Sequence, residues 1–365
     1  MGDKTESRLV ALDGLRGLAV LQVVLFHYYL LQPIEAGWYL RLRRLGTVVD
    51  GLTLFFVLSG FLIGGILLAQ RDSPGLFRVF YWRRACRILP LYFLLLASYG
   101  AVRLIDQHWR IGFLPYWYSE FPFWNYLVFW QNERMVRDAA LGASWLAVTW
   151  SLAVEMQFYL IAPWVMRFVS TRGLMVVGVG CVVAGPFLRA PQRDYLLADR
   201  MDALVVGVLL ALFVRAPTGR AFLDRHRQGL RGVVWAYLLG MIALRWVGGE
   251  SPILGSQTLA ALSFAVWIAL LTDGTAWPVM RRGIELLAPF GLWSYFLYLF
   301  HMPVQYVLGV LFPAGTVLAL PVSCALAALS YRYLERPLIG WGHRQAYARP
   351  GPRVAAAELN PQVPV

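Results

Sequence analysis

Five places in this 365-residue sequence set ionisable side chains among residues that are almost wholly apolar. In GLRGLAVLQVVLFHY, Arg16 and His27 flank ten residues. Eleven helical steps bring His27 to within about 20° of the Arg16 direction, roughly 16 Å further along the axis. An ionisable group inside a membrane span costs roughly 2.5–3.5 kcal/mol, so each needs a reason. Neutral imidazole titrates near working pH and suits proton transfer. A helix–helix hydrogen bond is the structural alternative for His27, and the face shared with Arg16 weighs towards chemistry. The segment YWRRACRILP, read as the loop after a second span, carries Arg83, Arg84 and Arg87. If it is helical, Arg84 and Arg87 are i, i+3 neighbours whose planar forks can converge on one polyanion. Topological anchoring explains them equally well. In TWSLAVEMQFYL, Glu155 shares a face with Ser151, and a carboxylate there must be paired, protonated or bathed in a cavity. His301 follows the aromatic run SYFLYLF, with Pro303 two residues on. Arg200 and Asp202, at the start of another apolar stretch, read by default as a surface ion pair.

These residues need a frame, and composition points to a membrane. Hydrophobic residues make up 59% of the chain and charged ones 15%, with mean hydropathy +0.58. A soluble domain carries about 25% charged residues, and a soluble α-solenoid would keep a charged face on each helix. The expected fold is all-α, a polytopic transmembrane bundle of about ten spans: 17–32, 46–69, 88–106, 144–168, 173–189, 201–214, 230–247, 253–272, 286–309 and 315–334. Residues 1–16 are then a cytoplasmic tail, 17–338 the transmembrane domain and 339–365 a disordered tail. The net charge of +13 is no nucleic-acid footprint. With both termini in the cytoplasm, 22 of the 33 Lys and Arg fall inside, as the positive-inside rule requires, and Arg41, Arg43 and Arg44 are the outer exception. The first apolar segment lacks a small-residue cleavage site and is expected to stay as a helix. Cys86, Cys181 and Cys324 show neither disulfide nor metal spacing, and no metal is expected. The longest connection, 107–143, is crowded with aromatics, among them Trp109, Phe113, Tyr116, Trp117, Tyr118, Tyr126 and Phe129. An interfacial belt, a sugar-stacking surface and an extra short embedded helix are the readings open for it.

In order, these segments resemble the acyltransferase 3 family of bacterial integral-membrane O-acyltransferases. LDGLRGLAVLQVVLFH is similar to the family's opening Arg-x10-His motif at Arg16 and His27, and LFFVLSGFLI to its second-span signature. WRRACRILPLY supplies an Arg-x-x-Arg at Arg84 and Arg87; TWSLAVEMQFYL supplies Trp-Ser-Leu-x-x-Glu at Trp150, Ser151 and Glu155. RMDALVVGVLLAL, SYFLYLFHMPV and Glu335-Arg336-Pro337 fit later segments. The resemblance runs from about residue 8 to 338. Thr53 stands where many members carry an acid, and the chain looks like the stand-alone form without a fused esterase-like domain.

The resemblance implies an O-acyltransferase, most simply an O-acetyltransferase, in the bacterial inner membrane. Acyl-CoA would be the donor substrate, no cofactor would be permanently bound, and the acceptor would be a carbohydrate or glycolipid hydroxyl. Membrane lipids and polysaccharide-assembly machinery are the further partners it implies. Such chemistry needs an anchor for the coenzyme, a base for the hydroxyl and stabilisation of the tetrahedral intermediate. Arg84 and Arg87 suit the coenzyme phosphates. His27 is the preferred base, and Arg16 either guides the coenzyme or stabilises charge. Glu155 either orients a histidine or binds the acceptor. Trp150, Ser151, Asp202 and His301 serve acceptor binding or structure. No Ser-His-Asp or cysteine nucleophile signature accompanies them, which favours direct attack by the acceptor. A proton-coupled transporter or sugar-lipid flippase is the alternative from another class, and a non-catalytic polysaccharide-assembly scaffold the third reading.

Overall fold

The computed structural model describes residues 2–30, 37–110, 121–189, 195–248, 256–274, 276–312 and 315–347. Each of the ten expected spans is represented by a helix, and no strand occurs among the described residues. In chain order these are α1 (Gly2–Leu25), α2 (Gly51–Ala69), α3 (Leu76–Trp109), α4 (Trp150–Phe168), α5 (Thr171–Leu188), α6 (Leu197–Arg215), α7 (Pro217–Trp246), α8 (Gln257–Thr272), α9 (Ser294–Leu311) and α10 (Gly315–Ser330). Seven stretches among the described residues are long and apolar enough to cross a bilayer. Of the other three, α8 is apolar but only 16 residues long, while α6 and α7 carry several charges. Residues 348–365 of the expected tail lie outside the described residues, as do Phe113, Tyr116, Trp117 and Tyr118.

Several boundaries differ from expectation: α7 begins at Pro217 rather than residue 230, α9 at Ser294 rather than 286, and two further differences have a physical reason. Residues 2–16 do not form a separate tail but belong to α1. The supposed loop carrying Arg83, Arg84 and Arg87 is helix: α3 runs unbroken for 34 residues, through Pro90. A run of arginines looked like solvent-facing chain. Long basic side chains can instead lay apolar stems along a helix and keep their heads in a polar pocket.

Local chemistry sets the helix starts. Asp50 caps α2, its carboxylate accepting from the backbone N–H of Leu52 and Thr53 at 3.1 and 3.2 Å. Ser170 and Ser256 cap α5 and α8 in the same way. Small residues then set how closely the helices pack. A Cβ on Gly60 would lie 1.9 Å from the carbonyl oxygen of Leu204, and one on Gly207 2.2 Å from that of Val57. The α2 and α6 backbones therefore touch. Gly14 and Gly17 seat α1 equally tightly: a Cβ on either would fall 2.1 Å from the carbonyl of Ile284 or Leu287. Arg16 stands between these two contacts, so its backbone is held on both sides.

The aromatic connection divides by burial. Tyr126 and Phe121 are buried, whereas Trp109, Phe123, Trp124 and Trp130 are exposed. Tyr92 of α3 stacks on Phe129 at 4.6 Å and donates its hydroxyl to the Tyr126 carbonyl at 2.8 Å. Two short helices, Trp124–Leu127 and Gln131–Asp138, form part of this connection. Among its described residues, the connection thus supplies a packed plug on α3 and an exposed aromatic rim.

Candidate active site

Arg84 and Arg87 occupy neighbouring positions on α3, and both line a cavity of about 110 Å³. Arg16 from α1 lines it too, so three guanidinium groups from two helices meet in one space. Arg84 is 8% exposed, with its guanidinium 5.8 Å from the Phe80 ring centre and 5.6 Å from that of Tyr159. Its Nε is buried and without a hydrogen-bond partner among the described residues. Arg16 is partly neutralised by Asp13, at 3.0 Å. Among the described residues, neither Arg84 nor Arg87 forms an ion pair.

Ser151 and Glu155 line the same cavity from α4, as their spacing requires. Glu155 accepts hydrogen bonds from the hydroxyls of Ser59 and Tyr159 and has no arginine ion pair among the described residues. Ser151 and Tyr298 are 2.6 Å apart, and the Tyr298 hydroxyl donates to the Val148 carbonyl at 2.6 Å. One carboxylate against three guanidinium groups leaves the cavity suited to an anion.

His27 and His301 do not line this cavity. They begin one layer beyond it, where the ring of the lining Tyr298 lies 6.2 Å from that of His301. The α1 helix passes at Phe26 into a five-residue π-helical turn that contains His27, so the regular 100° step assumed for His27 stops short of it. The turn brings His27 against His301 of α9: their ring centres are 5.0 Å apart and His27 Nδ1 is 3.3 Å from His301 Nε2. Tyr28 fastens the arrangement, donating to the His301 carbonyl at 2.8 Å and meeting Ser323 of α10 at 2.8 Å.

The other polar residues fall elsewhere. Asp202 does not sit in a surface ion pair: it is 1% exposed, bonded to Arg189 at 2.6 Å and to the Thr258 hydroxyl. Burial of α6 against its neighbours makes the pairing internal. Arg200, 7% exposed, lies over the Trp150 ring at 5.4 Å, and Trp150 packs edge-on against Tyr195. Neither Trp150 nor Asp202 lines the cavity. Thr53 donates to Asp50 at 2.6 Å, inside the α2 cap. Its hydroxyl is occupied in starting that helix.

Arg83 does not line the cavity and binds the segment that follows the last helix. Its Nε and terminal nitrogen donate to the Gln345 carbonyl at 3.1 and 2.8 Å, and its guanidinium lies 4.8 Å from the Tyr347 ring centre. Burial pushes the Tyr347 phenol above its ordinary range, with Arg83 and Arg84 acting against the rise. The phenol stays neutral at ordinary pH.

A family model described as an acyltransferase domain matches residues 9–331. The chain belongs to the acyltransferase 3 family. Among its curated relatives, OatA of Staphylococcus aureus, named an O-acetyltransferase, is 25% identical over 90% of this chain and 57% of its own length. YrhL of Bacillus subtilis, named provisionally as a peptidoglycan O-acetyltransferase, is 27% identical over 91% of this chain and 55% of its own. Nodulation protein 10 of Rhizobium leguminosarum bv. viciae is 27% identical over 89% of this chain and 92% of its own length. The chain thus spans a little over half the length of OatA and YrhL. No solved structure matches it.

Proposed function

We propose that the chain is a membrane O-acyltransferase that moves an acyl group, acetyl in the simplest case, from acyl-CoA to a hydroxyl of a carbohydrate acceptor. The observation that carries this reading is the meeting of Arg16, Arg84 and Arg87 in one cavity, one side-chain layer from a histidine pair. The arginines supply charge-assisted donors for coenzyme phosphates. His27 takes the hydroxyl proton as the acceptor oxygen attacks the thioester carbonyl, and returns it to the departing thiolate. Thiol and ester are the products, with no acyl-enzyme. A proton-coupled transporter would use the histidine pair but leaves three clustered arginines without a ligand.

Purified chain in lipid nanodiscs, given acetyl-CoA and glycan acceptors, should release free thiol only when an acceptor is present. Substrate movement across the bilayer with the thioester intact would instead mark a transporter. The names of OatA and YrhL support acetyl as the group, and that of YrhL makes a peptidoglycan hydroxyl one acceptor to try.

The charge distribution supports an inner-membrane protein with both termini in the cytoplasm. Reporter fusions after Arg231 and at the C-terminus should read cytoplasmic, and one near Ser119 periplasmic. A periplasmic C-terminus would overturn this orientation.

A further inference from the structure

The atoms around the two histidines constrain where their protons lie. His301 is fully buried, and its Nδ1 faces two carbonyl oxygens, Leu297 at 3.0 Å and Tyr298 at 2.8 Å. A lone pair there would meet two others at contact distance, so Nδ1 carries the hydrogen. In the neutral ring Nε2 is then an acceptor, and it points at His27 Nδ1 from 3.3 Å. That atom also faces the Val23 carbonyl at 2.9 Å. With acceptors on both sides, His27 Nδ1 must carry hydrogen as well. The His27 proton is thereby kept off Nε2.

We propose that His301 is a positioning residue that, together with the Val23 carbonyl, holds hydrogen on His27 Nδ1 so that Nε2 is the basic nitrogen. This rests on the reading of His27 as the base. When the acceptor oxygen forms its bond to the thioester carbon, its proton passes to His27 Nε2. The resulting imidazolium keeps Nδ1–H shared between two neutral acceptors, the Val23 carbonyl and His301 Nε2. As the carbon–sulfur bond breaks, the thiolate takes the Nε2 proton and the pair returns to its starting state. His301 gains and loses nothing. It orients the ring and disperses the transient charge, the part a carboxylate plays in other histidine-based sites. A carboxylate would be costly to bury here, whereas a second imidazole already held by its own helix is not. Tyr28 holds the His301 backbone from the same π-helical turn that carries His27, so the two rings share one anchor.

The chain has five histidines, few enough for a nitrogen spectrum of histidine-labelled protein in nanodiscs, with the His27 signals assigned by their loss in His27→Gln. In the wild type at neutral pH, His27 should show a protonated Nδ1 and a bare Nε2. His301→Met keeps the bulk and removes one of the two acceptors at His27 Nδ1, leaving the Val23 carbonyl, so the share of His27 protonated on Nε2 should rise. The kcat should fall roughly 10- to 100-fold, the range for removing a partner that orients an imidazole. The KM for acetyl-CoA should stay within about twofold, because the arginines are untouched. His301→Gln, which can turn an amide oxygen to Nδ1, should recover part of both the spectrum and the rate. A wild-type His27 protonated on Nε2 would overturn the assignment, as would a His27 spectrum and rate that are the same in the wild type and in His301→Met. The wild-type spectrum decides even if the methionine variant fails to fold. Failure of the base reading is distinguishable, because it appears as wild-type turnover in His27→Gln whatever the tautomer.

Discussion

His27→Gln should fold, retain its affinity for acyl-CoA and lose acyl transfer by about two to four orders of magnitude, the range for deleting a general base. Glutamine can occupy the π-helical turn and hydrogen-bond to His301, but an amide cannot accept a proton at neutral pH. Donor affinity should persist because Arg16, Arg84 and Arg87 line a cavity that His27 does not. The measurement is initial acylation rate per folded protein, with coenzyme binding followed by calorimetry. His301→Ala would be the control if α9 were only structural, but its contact with His27 disqualifies it. His226 serves better: it is exposed on α7 and bonded to the carbonyl of Phe222 in its own helix. His226→Gln should act as wild type. Normal turnover in His27→Gln would move the search for a base to Glu155, the one carboxylate lining the cavity among the described residues.

Arg84→Ala and Arg87→Ala should each weaken acyl-CoA binding roughly 10- to 150-fold, the equivalent of about 1.5–3 kcal/mol for a hydrogen bond to a charged group. Lysine should rescue only in part, since it keeps charge but not the two-pronged geometry. Thermal unfolding supplies a second, oppositely signed readout. In the empty protein these cations share a cavity with Arg16, and neither has an ion pair among the described residues. Removing one relieves repulsion and desolvation, so Tm without ligand should hold or rise. The gain in Tm on adding acyl-CoA should shrink with the lost affinity. Unchanged coenzyme affinity in both alanine variants would remove the arginines from the donor site.

Much of this was legible in the sequence because each feature depends on local spacing. The apolar stretches forecast the helices, and the intervals Arg84–Arg87 and Ser151–Glu155 forecast shared faces that the structure keeps. Tyr159 could have been added on the same logic, being one helical turn beyond Glu155. Ser59, the hydroxyl inside LFFVLSGFLI, also offered a signal, since a polar group in an apolar helix needs a partner. The pairing of His27 with His301 spans 274 residues and leaves no local trace. Asp202 pairing with Arg189 rather than Arg200 depends on how α5 and α6 pack, which spacing along one helix cannot encode. The arginine run of α3 misled for a different reason. Charge density resembles a loop until a cavity is present to receive it.

The unbroken course of α3 carries a mechanical consequence. Its 34 residues span about 51 Å at 1.5 Å each, against roughly 30 Å of bilayer hydrocarbon. About 20 Å must therefore project beyond the core or be absorbed by tilt. Arg84 and Tyr92 lie on this one rod, about 12 Å apart, and Tyr92 is fastened to the plug through the Tyr126 carbonyl. Hydrophobic mismatch in a thicker or thinner membrane cannot shift the arginines without also moving the plug. The depth of the anion site and the seating of the aromatic connection are set along one continuous helix, with Pro90 between them as the place where it can bend.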